Sequence, residues 1–279
     1  MKDQKTEKLF VSYFAALAGF CRARCRYEIA ADSFIGLVRS RNEDSFAYVR
    51  DPDGSNGLLA VVTDGIGSTR NGDIASLYTA RLLADAWSEM DFSRVRKTER
   101  VGVMQDFLGR TIRRINHQLY LINAAASRDG ERDSLGTTLT AAVFTEKTML
   151  AVNAGDSPLF RIHNGRIEQL TFDHNLANEL LRAGRIELDE VGCVEYGRML
   201  TRFIGPKDQV TPEFYISEAV SGDYFLLCSD GLTLHMNPEE ILRTVNSEPR
   251  VAEALKILFS KTIQRGAMDN ITAILVKIL

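Results

Sequence analysis

The strand-like segments of this chain follow one another directly, joined by short turns, and no other feature constrains the fold as much. β-Branched content, alternation and turn punctuation mark Tyr27–Leu37, Ser45–Val49, Gly57–Thr63, Thr137–Thr145, Thr148–Asn153, Leu159–His163, Ile167–Thr171, Glu213–Ser217, Tyr224–Cys228 and Ile271–Lys277. Asn164-Gly165, between two of them, is a tight-hairpin signal because both central positions of such a turn need positive φ. The segments do not alternate strand–helix–strand, so the doubly wound α/β class loses. An α+β fold of mainly antiparallel sheets with helices packed outside is expected.

Two long helices are expected. Asp73–Met90 would carry Ile74, Leu77, Tyr78, Leu82 and Ala86 as its apolar stripe. Val101–Ala125 would use Met104, Leu108, Ile112, Ile115, Leu119 and Ile122. Shorter helices are expected at Leu176–Ala183, Pro238–Val245 and Val251–Gln264, with Pro238 suited to a first turn. No linker or low-complexity tract divides the remainder, so residues 26–279 read as one domain and residues 1–25 as a helical N-terminal extension.

Bulk properties exclude several classes. A net charge of −3 gives no footprint for nucleic acid or anionic lipid. The apolar stretch Leu9–Phe20 falls short of the ~20 residues that span a bilayer, and Lys5, Glu7 and Lys8 make a poor signal-peptide start. Cys21, Cys25, Cys193 and Cys228 lack zinc-site spacing; Cys228 lies in an apolar run and reads as core. A free-standing, monomeric protein in the reducing cytoplasm is expected.

The informative chemistry lies at strand ends. Leu59-Ala60-Val61-Val62-Thr63-Asp64-Gly65 and Phe225-Leu226-Leu227-Cys228-Ser229-Asp230-Gly231 are both buried-strand patterns ending in Ser/Thr-Asp-Gly. A carboxylate there is costly unless a cation, donor or proton compensates it. The glycine is expected to let the backbone turn sharply and leave a carbonyl accessible. Glu43, Asp44, Asp133 and Asp269 occupy similar junctions. If these loops converge, with Asp64 and Asp230 they form an acid cluster that needs cations, since like charges ~4 Å apart repel by about 4 kcal/mol at an effective dielectric of 20. All-oxygen donors select Mn²⁺ or Mg²⁺.

Arg39-x-x-Asn42-Glu43-Asp44, Val62-Thr63-Asp64-Gly65-Ile66-Gly67, Leu135-Gly136-Thr137-Thr138, Ala154-Gly155-Asp156-Ser157, Cys228-Ser229-Asp230-Gly231-Leu232 and Asp269-Asn270-Ile271-Thr272 occur in this order. In that order and over nearly the whole chain, they resemble the metal-dependent protein serine/threonine phosphatases of the 2C (PPM) type, in their stand-alone bacterial form. The resemblance implies a four-layer α-β-β-α sandwich, two mainly antiparallel β-sheets flanked by helices. It implies two Mn²⁺ or Mg²⁺ ions, with Asp64 bridging them and the Gly65 carbonyl as a ligand. Asp230 and Asp269 would complete one shell, and Glu43 and Asp44 would ligate or orient waters. Asp133 and Asp230 would hold a weaker third ion, and Arg39 would clamp the substrate phosphate. A water between the two ions would then attack the phosphoester directly. The substrate would be a phosphorylated protein, with a cognate serine/threonine kinase as the natural counterpart.

The region 172–205 resembles a flap of bacterial members, and His174 in it is the histidine to watch; His117, His163 and His235 share no ligand spacing. Departures from the family pattern are Ile66 where animal members carry a His, Ser68 for a glycine, Pro158 for an Arg and Asn175 for a Ser. None removes a metal ligand. An aspartyl-phosphate phosphatase would need Asp-x-Asp, which Ile66 breaks, and Gly155-Asp156-Ser157-Pro158 is not a serine-hydrolase elbow. The alternative from another class is a catalytically weak homologue that binds or senses phosphoproteins.

Overall fold

A computed structural model describes residues 27–51, 56–66, 71–128, 135–145 and 147–279. The helical extension expected over residues 1–25, and with it Cys21 and Cys25, lies outside the described residues, as do Gly67, Ser68 and Asp133.

The strands are β1 (Tyr27–Phe34), β2 (Asp44–Arg50), β3 (Leu58–Asp64), β4 (Leu139–Phe144), β5 (Thr148–Ala154), β6 (Leu159–His163), β7 (Arg166–Gln169), β8 (Glu213–Glu218), β9 (Tyr224–Cys228) and β10 (Ile271–Ile278). The helices are α1 (Gly72–Ser88), α2 (Lys97–Arg128), α3 (Leu176–Arg182), α4 (Asp230–Thr233), α5 (Pro238–Ser247) and α6 (Val251–Gln264), and Leu188–Cys193 forms a 3₁₀ turn. One five-stranded sheet runs β1-β10-β9-β6-β7 and the other β2-β3-β4-β5-β8. Every neighbouring pair is antiparallel. The β6–β7 turn is the expected hairpin, with Asn164 at φ 49 and Gly165 at φ 71.

Alternation along each strand splits the core into layers. Leu58, Ala60 and Val62 of β3 meet Phe225, Leu227, Ile274 and Val276 between the sheets. Leu59 and Val61 point the other way, onto Leu83 and Trp87 of α1 and Met104, Leu108 and Ile112 of α2. Across the molecule Leu226, Cys228 and Leu275 pack under Ile241 of α5 and Leu255 and Leu258 of α6. The result is the expected four-layer α-β-β-α sandwich. Its central strands are buried on both faces, which is why they read as apolar runs although they are antiparallel.

Two helical faces differ from expectation. On α1, Ile74 and Leu77 are more than half exposed, and the buried face is Ala75, Ser76, Thr79, Ala80, Leu83, Ala84 and Trp87. Small side chains let this helix lie close on the sheet: Ser76 Oγ is 3.1 Å from Ser45 Oγ, and Thr63 Oγ1 donates to Ser76 O at 3.1 Å. On α2, Met104 through Leu119 are buried as expected, but Ile122 is exposed and Asn123 takes the inward position. Asn123 Nδ2 donates to Leu135 O (2.9 Å) and Gly205 O (3.0 Å), supplying donors to two loops that cross the helix end. β1 also stops at Phe34, short of Leu37, because the chain turns at Gly36 with φ 83.

Among the described residues no helix is long and apolar enough to cross a membrane.

Candidate active site

The acids meet at one edge of the sandwich because β2, β3, β9 and β10 all begin or end there. Asp44 opens β2, Asp64 closes β3, and the antiparallel register sets them directly opposite each other. Like charges facing across a ladder are destabilising, so nothing in sheet energetics favours this pair. Asp230 follows β9 and Asp269 precedes β10, which neighbour each other in the other sheet. Glu43 lies beside Gly72 at the start of α1: a Cβ on Gly72 would sit 3.0 Å from Glu43 Oε1.

The backbone of this edge is held by buried polar side chains. Asn270 ties the two sheets together. Its Nδ2 donates to Ile35 O (2.7 Å) and Arg41 O (2.9 Å), and its Oδ1 accepts from Glu43 N at 2.8 Å. Ser229 Oγ accepts from Thr272 N (3.0 Å) and donates to Asp44 Oδ2 (2.7 Å). Thr138 Oγ1 accepts from Asp64 N at 2.9 Å, while Thr138 N and Thr137 Oγ1 donate to Asp64 O. Ser157 Oγ lies 2.8 Å behind Thr138 Oγ1. The Leu-Gly-Thr-Thr and Gly-Asp-Ser motifs therefore position Asp64.

The glycines after Asp64 and Asp230 make room for neighbouring backbone. Neither is in the positive-φ region. What they permit is close approach: a Cβ on Gly65 would fall 2.3 Å from Gly72 O, and one on Gly231 only 1.9 Å from Asn270 O.

The carboxylates are electrostatically unsatisfied. Burial pushes Asp44 up to about 7, against the hydrogen bond from Ser229 and with repulsion from Asp230 and Asp269. Asp64 is driven well above the usual range by burial, then by Asp44 and Asp230. Burial and Asp269 raise Asp230, with Arg198 and Arg39 opposing. Burial also raises Glu43, which Arg39 partly offsets. Asp44 Oδ1 is buried with no hydrogen-bond partner. Arg39 gives one anchor to the cluster, Nη2 to Asp269 Oδ2 at 2.7 Å.

These features fit oxygen-loving cations: acid donors only, repulsion among them and an orphaned buried oxygen. Among the described residues no three carboxylate, imidazole or thiolate side chains alone enclose an ion. An ion here would complete its shell with water and carbonyl oxygen, as Mg²⁺ does.

Two acids beyond those expected from sequence lie in the field of this cluster. Asp156 is pushed to about 8 by burial, with Asp230 and Asp173 adding repulsion, and Asp173 is pushed to about 7 by burial. Asp156 follows the apolar strand β5 by two residues, as Asp230 follows β9, and that signal is present in the sequence.

His174, singled out for the flap, does not face the cluster. It is fully buried, its Nδ1 accepts from Gly155 N at 3.1 Å, and its Nε2 lies 3.0 Å from Glu213 Oε2. It anchors the start of the segment 172–205, and burial lowers its pKa. The other histidines have structural partners: His117 meets Asp208, His163 meets Asp223, and His235 accepts from Met268 N. Asn175 caps α3 by accepting from Asn178 N at 3.0 Å, a task a Ser does equally well. Ile66 packs beside Gly136 and Phe203.

Known proteins share this fold. The profile described as Protein phosphatase 2C matches residues 38–278. Serine/threonine phosphatase stp of Listeria monocytogenes is 32% identical over 242 residues, 87% of this chain and 92% of that protein. The S. agalactiae serine/threonine phosphatase structure superposes with a TM-score of 0.81 at 28% identity, over 91% of this chain and 100% of that one. The catalytic domain of the serine/threonine protein phosphatase PstP, solved with two manganese ions, gives 0.72 at 28% identity over 90% and 97%. With a family match over most of its length, the same two-sheet architecture and the motif acids gathered at one edge, the chain belongs to the protein phosphatase 2C family of serine/threonine phosphatases.

Proposed function

We propose that the chain hydrolyses phosphoserine and phosphothreonine in proteins by direct attack of water at the edge lined by Glu43, Asp44, Asp64, Asp230 and Asp269. The observation that carries this reading is the facing pair Asp44 and Asp64, with Asp44 Oδ1 buried and unpaired. A fold does not place two mutually repelling acids opposite each other, one of them buried with an orphaned oxygen, without a ligand to compensate them.

Mn²⁺ or Mg²⁺ suits the donor set, and the solved relative with two manganese ions supports two sites. Glu43, Asp44, Asp64, the Gly65 carbonyl, Asp230 and Asp269 would hold the pair. Such ions, when bound, lower the pKa of water toward neutrality and offset charge on the phosphoryl oxygens. Asp133, with Asp230, would serve a weaker third ion.

The chain's own residues do the rest. Asp44 and Asp64 orient the attacking water, each held in place from behind by Ser229 or by Thr137 and Thr138. Arg39 offers its planar fork to the phosphate. Asp269 Oδ2 now occupies Arg39 Nη2, so a carboxylate that turns to a cation releases that donor toward phosphate. No phosphoenzyme is required. The domain would act as a monomer over residues 26–279, with 172–205 as its flap, opposing a cognate serine/threonine kinase.

The test compares wild type with Asp230→Asn on p-nitrophenyl phosphate and a phosphothreonine peptide, in Mn²⁺, Mg²⁺ and EDTA. Turnover should require Mn²⁺ or Mg²⁺ and collapse in the variant. Wild type inert on both substrates in saturating Mn²⁺ would sink the catalytic reading in favour of a phosphoprotein-binding module.

A further inference from the structure

Large apolar side chains turned to solvent frame the Arg39–Asp269 pair. Leu37 and Val38, just before Arg39, are 60% and 69% exposed, and Met268, just before Asp269, is 59% exposed. The backbone brings them to one place. Leu37 N donates to Ala267 O at 2.9 Å, beside the 2.7 Å Arg39–Asp269 bond. Gly36 permits this: its φ is +83, and a Cβ there would fall 2.3 Å from Asp269 O. On the flap, Tyr196 and Met199 bracket Arg198 and are also exposed. Arg198 and Arg39 are the two cations whose fields oppose the raised Asp230 carboxyl.

Loops that only had to deliver a guanidinium and a carboxylate to water would be served by polar neighbours. A single exposed Leu needs no explanation, but apolar residues grouped around charged groups mark contact surfaces. The position of the group selects its occupant. With phosphate on Arg39, the substrate residues next to the phosphorylated one lie ~3.3–3.6 Å further along per residue, within reach of the same loop. Glu43, Asp230 and Asp269 on the inner side disfavour acidic neighbours there.

We propose that Leu37, Val38 and Met268 form an apolar rim that receives a bulky apolar side chain flanking the phosphorylated residue of a protein substrate. The enzyme then selects phosphosites by their neighbours as well as by their phosphate. The proposal rests on the phosphatase reading above.

The experiment uses the full chain with Mn²⁺, as wild type and as Leu37→Ser/Met268→Ser. Substrates are p-nitrophenyl phosphate and two phosphothreonine peptides that differ only in Leu or Ser beside the phosphothreonine. Wild type should favour the Leu peptide about tenfold in kcat/KM. The double variant should lose that preference through KM, with kcat and p-nitrophenyl phosphate turnover unchanged. Equal use of both peptides by wild type, a preference that survives in the variant, or an equal loss on all three substrates would overturn it. A dimer in sedimentation that the variant abolishes, with peptide preference intact, would assign the rim to a second copy and also overturn it. Failure on p-nitrophenyl phosphate by wild type would remove the phosphatase reading itself, and so separates the two.

Discussion

Replacing Asp44 with Asn should stabilise the ion-free protein while disabling it. Asp44 is buried, its Oδ2 accepts from Ser229, and its Oδ1 has no partner. Its folded pKa is raised to about 7 from an ordinary 3.8, chiefly by burial. A raised acid contributes its full stability only below the unfolded pKa, and that contribution is lost as pH climbs through the folded value. The cost of Asp44 is therefore ~1 kcal/mol at pH 4.5 and ~4 kcal/mol at pH 8. An Asn keeps the acceptor for Ser229 but buries an amide N–H pair, a penalty of about 1 kcal/mol.

The net expectation is a gain of ~3 kcal/mol at pH 8 and near zero at pH 4.5. At about 2 °C per kcal/mol for a domain of this size, Tm in EDTA should rise by ~6 °C at pH 8 and hardly move at pH 4.5. Saturating Mn²⁺ should invert the order at pH 8. An ion at a thousand times its Kd adds about 4.1 kcal/mol to wild type, more than the ~3 kcal/mol gap, and the variant lacks one ligand. Differential scanning calorimetry at both pH values, with EDTA and with Mn²⁺, reads all four numbers. A variant less stable than wild type in EDTA at pH 8, or a pH-independent difference, would refute the argument that Asp44 is held for a cation at the fold's expense.

Three further outcomes follow from the same edge. Gly231→Ala places a Cβ 1.9 Å from Asn270 O; it should cost about 1–3 kcal/mol in denaturant unfolding and about 100-fold in kcat/KM, because the strain displaces Asp230 against Asp269. Asn270→Ala removes the bonds to Ile35 O, Arg41 O and Glu43 N; urea unfolding should show a loss of ~3 kcal/mol, and kcat/KM should fall although no acid is removed. Asn123→Ala removes the bonds to Leu135 N, Leu135 O and Gly205 O; it should lower stability by a similar ~3 kcal/mol, and kcat/KM should fall as well because Leu135 leads into the Thr137 and Thr138 support of Asp64.

The sandwich was legible because its evidence is local. Asn164-Gly165 specifies its turn through φ alone, and direct strand succession rules out parallel crossovers. The phase of α1 was not legible. Ile74 and Leu77 outrank Ala75 and Thr79 in hydrophobicity, yet the small residues face the sheet because they let the helix come close. Asn123 turned inward for a reason that lies in two distant loops needing donors. The acids could be nominated because an Asp ending a buried strand is costly in any context. Ser229, Thr138 and Asn270 could not, since a polar residue beside an acid declares its role only when its partners arrive from another sheet. Asp156 obeys the same strand-end rule as Asp230 and was passed over inside its motif.

The division between these two kinds of residue explains how the edge works. Backbone groups around the acids are satisfied almost completely: Asp64 N and O by Thr137 and Thr138, Glu43 N by Asn270, Thr272 N by Ser229. The carboxylates themselves are left repelling one another in a poorly solvated place. Were the backbone equally frustrated, the loops would relax and carry the acids apart. Were the carboxylates satisfied by protein donors, no affinity would remain for cations or phosphate. Holding main chains rigid while starving side chains of partners preorganises the charge at a cost in stability for each raised acid. The sandwich behind the edge, buried on both faces of both sheets, is what can bear that cost.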